Sequence, residues 1–156
     1  MRTLYALLVG IDGYPGAPLR RCVNDVREAE AWLRRQGHVA SDIRRLHDGD
    51  TTLTAVRAGI ERHLGRSGPG DTALLWFSGH GSEEPTDAPW EDTGRSQALV
   101  CHDSLDDGRP PPRCGTPNSV RCWTVSPRAG RMWWLDGGGT PRAVVVREVR
   151  AEAVGG

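Results

Sequence analysis

Short apolar runs bounded by turn residues divide the first hundred positions of the chain into strand-like segments. Residues 4–11 form an apolar run that ends at Asp12, and residues 72–77 form another. Runs of this length flanked by turn-forming residues predict buried strands. Two further segments, residues 43–46 and, more weakly, residues 97–101, are interpreted as additional strands.

Between these runs, apolar residues recur at steps of three and four, which predicts two amphipathic helices. The first helix is expected to start with Asn24 as its cap and to end near Gln36, with Gly37 in the C′ position. The second is expected to start with Thr52 as its cap. The apolar stripes are Val26, Ala29 and Leu33 in the first helix, and Leu53, Val56, Ile60 and Leu64 in the second.

Strands that alternate with helices predict an α/β fold. We expect a mostly parallel sheet with helices on both faces, which is a three-layer sandwich. In such sheets the functional groups gather beyond the carboxyl ends of the strands. The residues that follow each predicted strand are therefore the first candidates for a site.

The chain changes character near residue 108. Residues 1–107 carry 17 acidic and 12 basic side chains, whereas residues 108–156 carry 3 and 8, so the two parts have net charges of −5 and +5. The second part contains 14 Gly and Pro among 49 residues, with one Leu and no Ile, which gives it little capacity to form a core. We therefore divide the chain into a domain at 1–107 and a Pro/Gly/Arg-rich tail at 108–156, incomplete or irregular in fold.

The bulk composition excludes several classes of function. The net charge is zero and the pI is about 7.0, so nothing calls for nucleic acid or an anionic membrane as a partner. The apolar runs are too short to span a bilayer and the first residues lack a signal-peptide pattern, so we expect a cytoplasmic protein. The four cysteines form no CxxC pair, which disfavours a structural zinc site and predicts free thiols. The oligomeric state is left open.

One candidate for chemistry follows the third predicted strand, in the sequence WFSGHG at residues 76–81. The glycines allow unusual dihedral angles and a close approach of the backbone to a ligand. His80 follows the strand end directly, where a parallel sheet places its site. A structural or surface histidine is the alternative interpretation of such a motif.

A second candidate is the sequence LRRCVND at residues 19–25, which leads into the first helix. Asp25 near a helix N-terminus is also explained by the helix dipole, which favours a carboxylate there. Cys22 by itself fits a small buried apolar residue. Both residues therefore have a structural interpretation beside a functional one.

Taken together, these segments resemble the caspase and metacaspase domains of cysteine peptidases. Residues 5–14 (YALLVGIDGY) are similar to the first strand and its loop, and residues 19–25 to the "gCxxD" opening of the first helix. Residues 48–52 resemble the segment before the second helix, and residues 71–81 the segment that carries the catalytic histidine. Residues 99–104 resemble the strand that follows. The order and spacing of these matches hold over about two thirds of the chain.

The resemblance implies an endopeptidase that uses a Cys-His dyad, in which the imidazole assists a thiolate and protonates the leaving amine. His80 matches the catalytic histidine, and Gly81 matches the position whose backbone N–H helps to bind the oxyanion. Cys22, Asp25 and Ser78 match positions that line an acidic specificity pocket. Such a pocket predicts protein or peptide substrates with Arg or Lys before the cleaved bond, by charge complementarity.

The nucleophile of the family has no match in this sequence. The family places it in a segment like DxCxSG after the next buried strand, and residues 105–156 contain no such segment. Cys101 falls on the wrong element, while Cys114 and Cys122 lie in the tail without a strand before them. Residues 143–149 are the one strand-like stretch of the tail.

Two explanations are open, namely a shift of the coding frame near residue 108 and a genuine divergent tail. A frame shift predicts that the third strand keeps an unpaired edge. Two alternatives to an active endopeptidase accompany them: a catalytically inactive caspase-fold module that binds or regulates, and a truncated product without function.

No cofactor is expected, with calcium as a possible exception because metacaspases are often activated by calcium. Carboxylates are hard oxygen ligands of the type that calcium prefers, but the spacing is not that of an EF-hand. The candidate acidic residues are Glu83, Glu84, Asp87, Glu91 and Asp92 in one cluster and Asp103, Asp106 and Asp107 in another.

Overall fold

A five-stranded sheet and a separate two-stranded sheet organise the chain. The structure is a computed structural model and describes residues 3–37, 40–85, 94–104, 131–136 and 141–148. In chain order the elements are β1 (Thr3–Gly10), α1 (Cys22–Arg35), β2 (Ala40–His47), α2 (Leu53–Ala58), β3 (Thr72–Ser78), β4 (Gly81–Pro85), β5 (Arg95–Leu99), β6 (Arg131–Asp136) and β7 (Pro141–Glu148). The large sheet has the strand order β2-β1-β3-β7-β6, and the small one pairs β4 with β5.

Strand β1 is largely buried because it lies between β2 and β3 and pairs with both in parallel. Its side chains alternate between two apolar cores, one on each face of the sheet. Leu7 and Val9 enter one core together with Phe77, and Leu8 enters the other. Each of these side chains is at most 1% exposed, and burying one contributes roughly 1.5–3 kcal/mol.

Helix α1 covers one face of the sheet through the predicted apolar stripe, since Val26 and Leu33 pack in the same core as Leu8. Gly10 permits this close packing, because a Cβ at that position would lie 2.7 Å from the carbonyl oxygen of Cys22. The predicted Asn24 cap is wrong. The helix begins two residues earlier, at Cys22, and the amide of Asn24 donates to Glu28 instead.

Helix α2 covers the other face. Thr52 caps it as predicted, since its Oγ1 accepts a hydrogen bond from the backbone N–H of Ala55 at 3.2 Å. After Ala58 the helix loosens into a π-turn at Gly59–His63 and then tightens into a 3₁₀ turn at Leu64–Arg66. The predicted stripe still packs on the sheet, through Val56, Leu64, Leu53 and Ile60. The α/β fold with helices on both faces of the sheet is thus confirmed.

The second edge of β3 is paired with β7 in antiparallel register, and β7 in turn pairs with β6. The unpaired edge of the third strand that a frame shift would produce is therefore not found. The strand predicted at 143–149 is observed as Pro141–Glu148. The sheet is thus parallel from β2 to β3 and antiparallel from β3 to β6.

The weak fourth strand is displaced from its predicted place. It spans Arg95–Leu99, ends before Cys101 and pairs with β4 in the small sheet. Gly81 pairs with Leu99 in this ladder, and the Val100 N–H donates to the His80 carbonyl at 3.0 Å. The small sheet therefore holds the segment that directly follows β3.

Candidate active site

The candidate residues gather where β1 and β3 end, as expected for the carboxyl edge of a parallel sheet. Gly10 and Ser78 are register partners at this edge, and the Ile11 N–H donates to the Ser78 carbonyl at 3.0 Å. The loop after β1 therefore runs beside the loop that carries His80.

The His80 ring is fixed by a backbone carbonyl. Its Nε2 lies 2.8 Å from the carbonyl oxygen of Ala17, which belongs to the β1–α1 loop. A carbonyl oxygen can only accept, so Nε2 carries the hydrogen and donates it. In the neutral imidazole Nδ1 is then the acceptor, which is the form that a general base requires.

Tyr14 holds the backbone of the same histidine through a hydrogen bond. Its hydroxyl accepts a hydrogen bond from the His80 backbone N–H at 3.0 Å and donates one to the Val100 carbonyl at 2.7 Å. The two rings are tilted, with centroids 4.6 Å apart. Gly79 is required here, because a Cβ at that position would lie 2.4 Å from the Tyr14 hydroxyl.

The three predicted pocket residues, Cys22, Asp25 and Ser78, come together beside this loop. The fully buried Ser78 hydroxyl donates to Oδ2 of Asp25 at 3.1 Å, which ties the end of β3 to the first turn of α1. Cys22 is also buried and shares its surroundings with Ser78 and Asp25. Asp25 itself remains partly exposed, so its carboxylate can meet a ligand.

Neither of the two cysteines with a described environment is primed as a nucleophile. Burial raises the pKa of the Cys22 thiol, and the nearby carboxylates of Asp12 and Asp25 add to the rise, whereas the neighbouring Ser78 hydroxyl lowers it in part. Burial likewise raises the pKa of Cys101 to about 12, with a further contribution from Asp103. Both groups are therefore protonated thiols near neutral pH.

A carboxylate that sequence analysis did not single out holds the start of α1. Asp12 accepts hydrogen bonds from the backbone N–H groups of Arg21, Cys22 and Val23, at 2.9, 2.8 and 3.3 Å. It therefore caps the helix from outside it, and this fits the helix dipole. Arg21 precedes the helix with a φ of 142°, a strained value for a residue with a Cβ.

Asp48 holds the same loop from the other side. Its Oδ1 accepts hydrogen bonds from the backbone N–H groups of Asp12 and Gly13, both at 2.8 Å. Asp48 thus fixes the loop that carries Asp12, and Asp12 in turn fixes the start of α1. The only sequence signal for this role is the Asp-Gly pair after β1 and the Asp after β2, each at a strand end.

The structure describes the remaining predicted site residues only in part. Gly81 is exposed and opens β4 directly after His80. Of the acidic residues considered for calcium, Asp103 accepts a hydrogen bond from the Leu53 N–H at 2.9 Å. Asp87, Glu91, Asp92, Asp106 and Asp107, like the cysteines Cys114 and Cys122, lie outside the described residues. Among the residues that the structure describes, no three His, Cys, Asp or Glu side chains are grouped as metal ligands would be.

Within the part of the chain that the structure describes, no helix is both long and apolar enough to cross a lipid bilayer.

Comparison with known proteins places the motifs in one family. Residues 3–114 match the family model of the caspase domain, peptidase C14. The chain is 35% identical over 107 residues to Metacaspase-7 of Arabidopsis thaliana, an alignment that covers 63% of this chain and 26% of that protein. It is 34% identical over 107 residues to Metacaspase-4 of the same plant, covering 63% and 25%. It is 27% identical over 111 residues to Metacaspase-1 of Mycosarcoma maydis, covering 67% and 28%.

The chain thus spans about a quarter of the length of these relatives. The family match begins with β1 and runs past the turn at His102–Ser104, so it includes every residue of the candidate site.

Proposed function

The chain belongs to the caspase domain family of cysteine peptidases, and we propose that its site hydrolyses peptide bonds that follow Arg or Lys, with His80 assisting a cysteine thiolate. The observation that carries the proposal is the hydrogen bond from His80 Nε2 to the Ala17 carbonyl. When the imidazole is neutral, this bond places the hydrogen on Nε2, so that Nδ1 can accept a proton from a thiol and later return it to the leaving amine.

The preference for a basic side chain rests on Asp25. Its carboxylate accepts a hydrogen bond from the buried Ser78 hydroxyl, so its position at the start of α1 is fixed. A guanidinium or ammonium group beside a fixed carboxylate forms a charge-assisted hydrogen bond. Peptides with Arg or Lys before the cleaved bond are therefore the substrates that this site fits, and proteins that contain such peptides are its partners.

The source of the thiolate separates this proposal from a second one. Cys22 and Cys101 are buried and have raised pKa values, so the thiolate has to come from another cysteine, and within this sequence Cys114 and Cys122 are the candidates. The protonated state of both cysteines with described surroundings favours, as a second candidate, a caspase-fold module that binds a basic peptide without cleaving it. The third hypothesis is a truncated product without function, which would neither bind nor cleave the peptide.

One experiment distinguishes these three. The full chain is mixed with a fluorogenic peptide that ends in Arg before the reporter, and binding of the matching arginyl peptide amide is measured by calorimetry. Cleavage supports the peptidase, binding without cleavage supports the binding module, and neither supports the third hypothesis.

The pocket assignment is tested in the same assays with Asp25→Arg. We expect both cleavage and binding of the arginyl peptide to be lost, because two like charges would face each other. Asp50→Arg is the matched control, since it makes the same charge reversal at an exposed carboxylate in the 3₁₀ turn after β2. Full retention of activity or binding in Asp25→Arg would show that the pocket lies elsewhere.

A further inference from the structure

We infer that Tyr14 is a positioning residue for His80. Its hydroxyl holds the backbone of His80, and the turn that begins at Tyr14 holds the imidazole ring. The inference rests on the proposed function only for the role of His80, which is to assist a cysteine thiolate. The contacts themselves are independent of whether a peptide is cleaved.

The first end is the backbone of His80. The Tyr14 hydroxyl is a bridge, since it accepts from the His80 N–H and donates to the Val100 carbonyl 86 residues along the chain. A hydroxyl can do both at once only while it is protonated. Burial raises the pKa of Tyr14 far above its ordinary value of 10.0, so the bridge persists throughout the pH range in which a peptidase would work.

The second end is the imidazole ring. Tyr14, Pro15, Gly16 and Ala17 form a tight turn in which the Ala17 N–H donates to the Tyr14 carbonyl at 3.4 Å. Proline at the second position and a glycine with φ of +72° at the third are the features of a type II turn. The turn fixes Ala17, and the Ala17 carbonyl accepts the hydrogen of His80 Nε2.

Three hydrogen bonds thus connect the turn and the histidine in a ring. They join Tyr14 to Ala17, Ala17 to the His80 imidazole, and the His80 backbone to the Tyr14 hydroxyl. Removing the hydroxyl opens this ring of hydrogen bonds and leaves the His80 N–H and the Val100 carbonyl without this partner. The His80 loop then loses its register with the Ala17 carbonyl, and the imidazole loses the contact that selects its tautomer. Small displacements of a catalytic group cost about 10- to 100-fold in rate.

The test uses the full chain and compares Tyr14→Phe with Tyr5→Phe. Tyr5 is the matched control because it is a partly buried tyrosine on β1 whose ring lies near Arg66 and His63, away from the His80 loop. The first readout is the ¹⁵N NMR signature of the His80 ring. We expect the unaltered protein and Tyr5→Phe to show a single tautomer with the hydrogen on Nε2, and Tyr14→Phe to show a mixture.

The second readout is kinetic, with the fluorogenic arginyl peptide. Tyr14→Phe should lower kcat about 10- to 100-fold while KM changes less than about twofold, since the pocket at Asp25 is untouched. Tyr5→Phe should match the unaltered protein. If the unaltered protein shows no turnover, the proposed function fails and the NMR comparison alone decides the role of Tyr14.

An identical His80 tautomer in Tyr14→Phe and the unaltered protein would overturn the inference. If Tyr14→Phe does not fold, amide exchange in the unaltered protein decides instead. The His80 N–H should exchange slowly because it donates to a buried hydroxyl, and exchange as fast as that of an exposed loop amide would equally overturn the inference.

Discussion

At the scale of single residues, the site is assembled by side chains that bond to backbone groups. Asp12 binds the start of α1, Asp48 binds the loop before it, and Tyr14 binds the His80 N–H. Such bonds fix where a segment of chain runs, while the groups proposed to act on a substrate, His80 and Asp25, are left partly exposed. The side chains that position the backbone are therefore different from those proposed to contact the substrate.

The two buried thiols give a prediction about reactivity. Because burial raises the pKa values of Cys22 and Cys101, both should resist alkylation by iodoacetamide at pH 7.5 and react readily once the chain is unfolded in urea. Mass mapping of the modified peptides measures this, and alkylation of native protein should increase as the pH is raised. Rapid modification of Cys101 in the folded protein at pH 7.5 would contradict its burial.

A second prediction at this scale concerns Asp12. Asp12→Ala removes the acceptor of three backbone N–H groups and should lower the free energy of unfolding by about 1–2 kcal/mol, as the loss of a helix cap does. Asp12→Asn keeps an oxygen acceptor and should cost less. Urea unfolding followed by circular dichroism compares them, and equal stability of Asp12→Ala and the unaltered protein would exclude the capping role.

At the scale of elements, the apolar pattern predicted most of what was found. The strands at β1 and β3, the Thr52 cap and both helical stripes depend on local periodicity, which a sequence displays directly. The small sheet could not be predicted in the same way, because pairing of Gly81 with Leu99 depends on a contact across 18 residues. The same holds for the Asp12 cap, which acts on Cys22 from ten positions away, so that Asn24 was the nearer but wrong choice.

A link between two elements gives a prediction about pH. Asp71 accepts hydrogen bonds from the Gly68 N–H and from the Thr3 N–H at the start of β1, and these bonds lower its pKa from the ordinary 3.8. A carboxylate with a lowered folded-state pKa stabilises the fold above its unfolded-state pKa, and loses that contribution as the pH falls through the folded value. Asp71→Asn should therefore be less stable than the unaltered protein at pH 7, with a difference that shrinks below about pH 4.

Thermal unfolding of both proteins between pH 2.5 and pH 7 measures this difference. Asp50→Asn is the control, since it makes the same substitution at an exposed carboxylate. A difference between Asp71→Asn and the unaltered protein that stays constant down to pH 2.5 would mean that the carboxylate charge plays no part.

At the scale of the whole molecule, the tail completes the sheet that the front part begins. Residues 1–107 carry the family motifs and a net charge of −5, and the tail of opposite charge supplies β6 and β7. β7 runs antiparallel along β3, the strand that leads to His80. Within the large sheet, the strands from residues 1–107 therefore pair in parallel with one another, and the strands from the tail pair in antiparallel register.

This pairing is testable with one substitution. Val145 is the register partner of Leu75 in β3, and β7 is paired on both edges, so Val145→Pro removes an N–H from the sheet. We expect a lower free energy of unfolding and faster amide exchange in β3. Val145→Thr, which keeps the N–H and the branched Cβ, should leave the ladder intact and amide exchange in β3 much slower than in Val145→Pro. Unchanged exchange in β3 of Val145→Pro would indicate that the tail does not pair with it.

The measurement that tests the central claim most directly is cleavage of the fluorogenic arginyl peptide by the unaltered chain and by His80→Ala. The account predicts turnover by the unaltered chain that falls to background in His80→Ala, with both proteins binding the uncleaved arginyl peptide amide equally well through Asp25. Turnover that survives in His80→Ala would contradict the account, because the imidazole held by the Ala17 carbonyl would then have no part in the reaction.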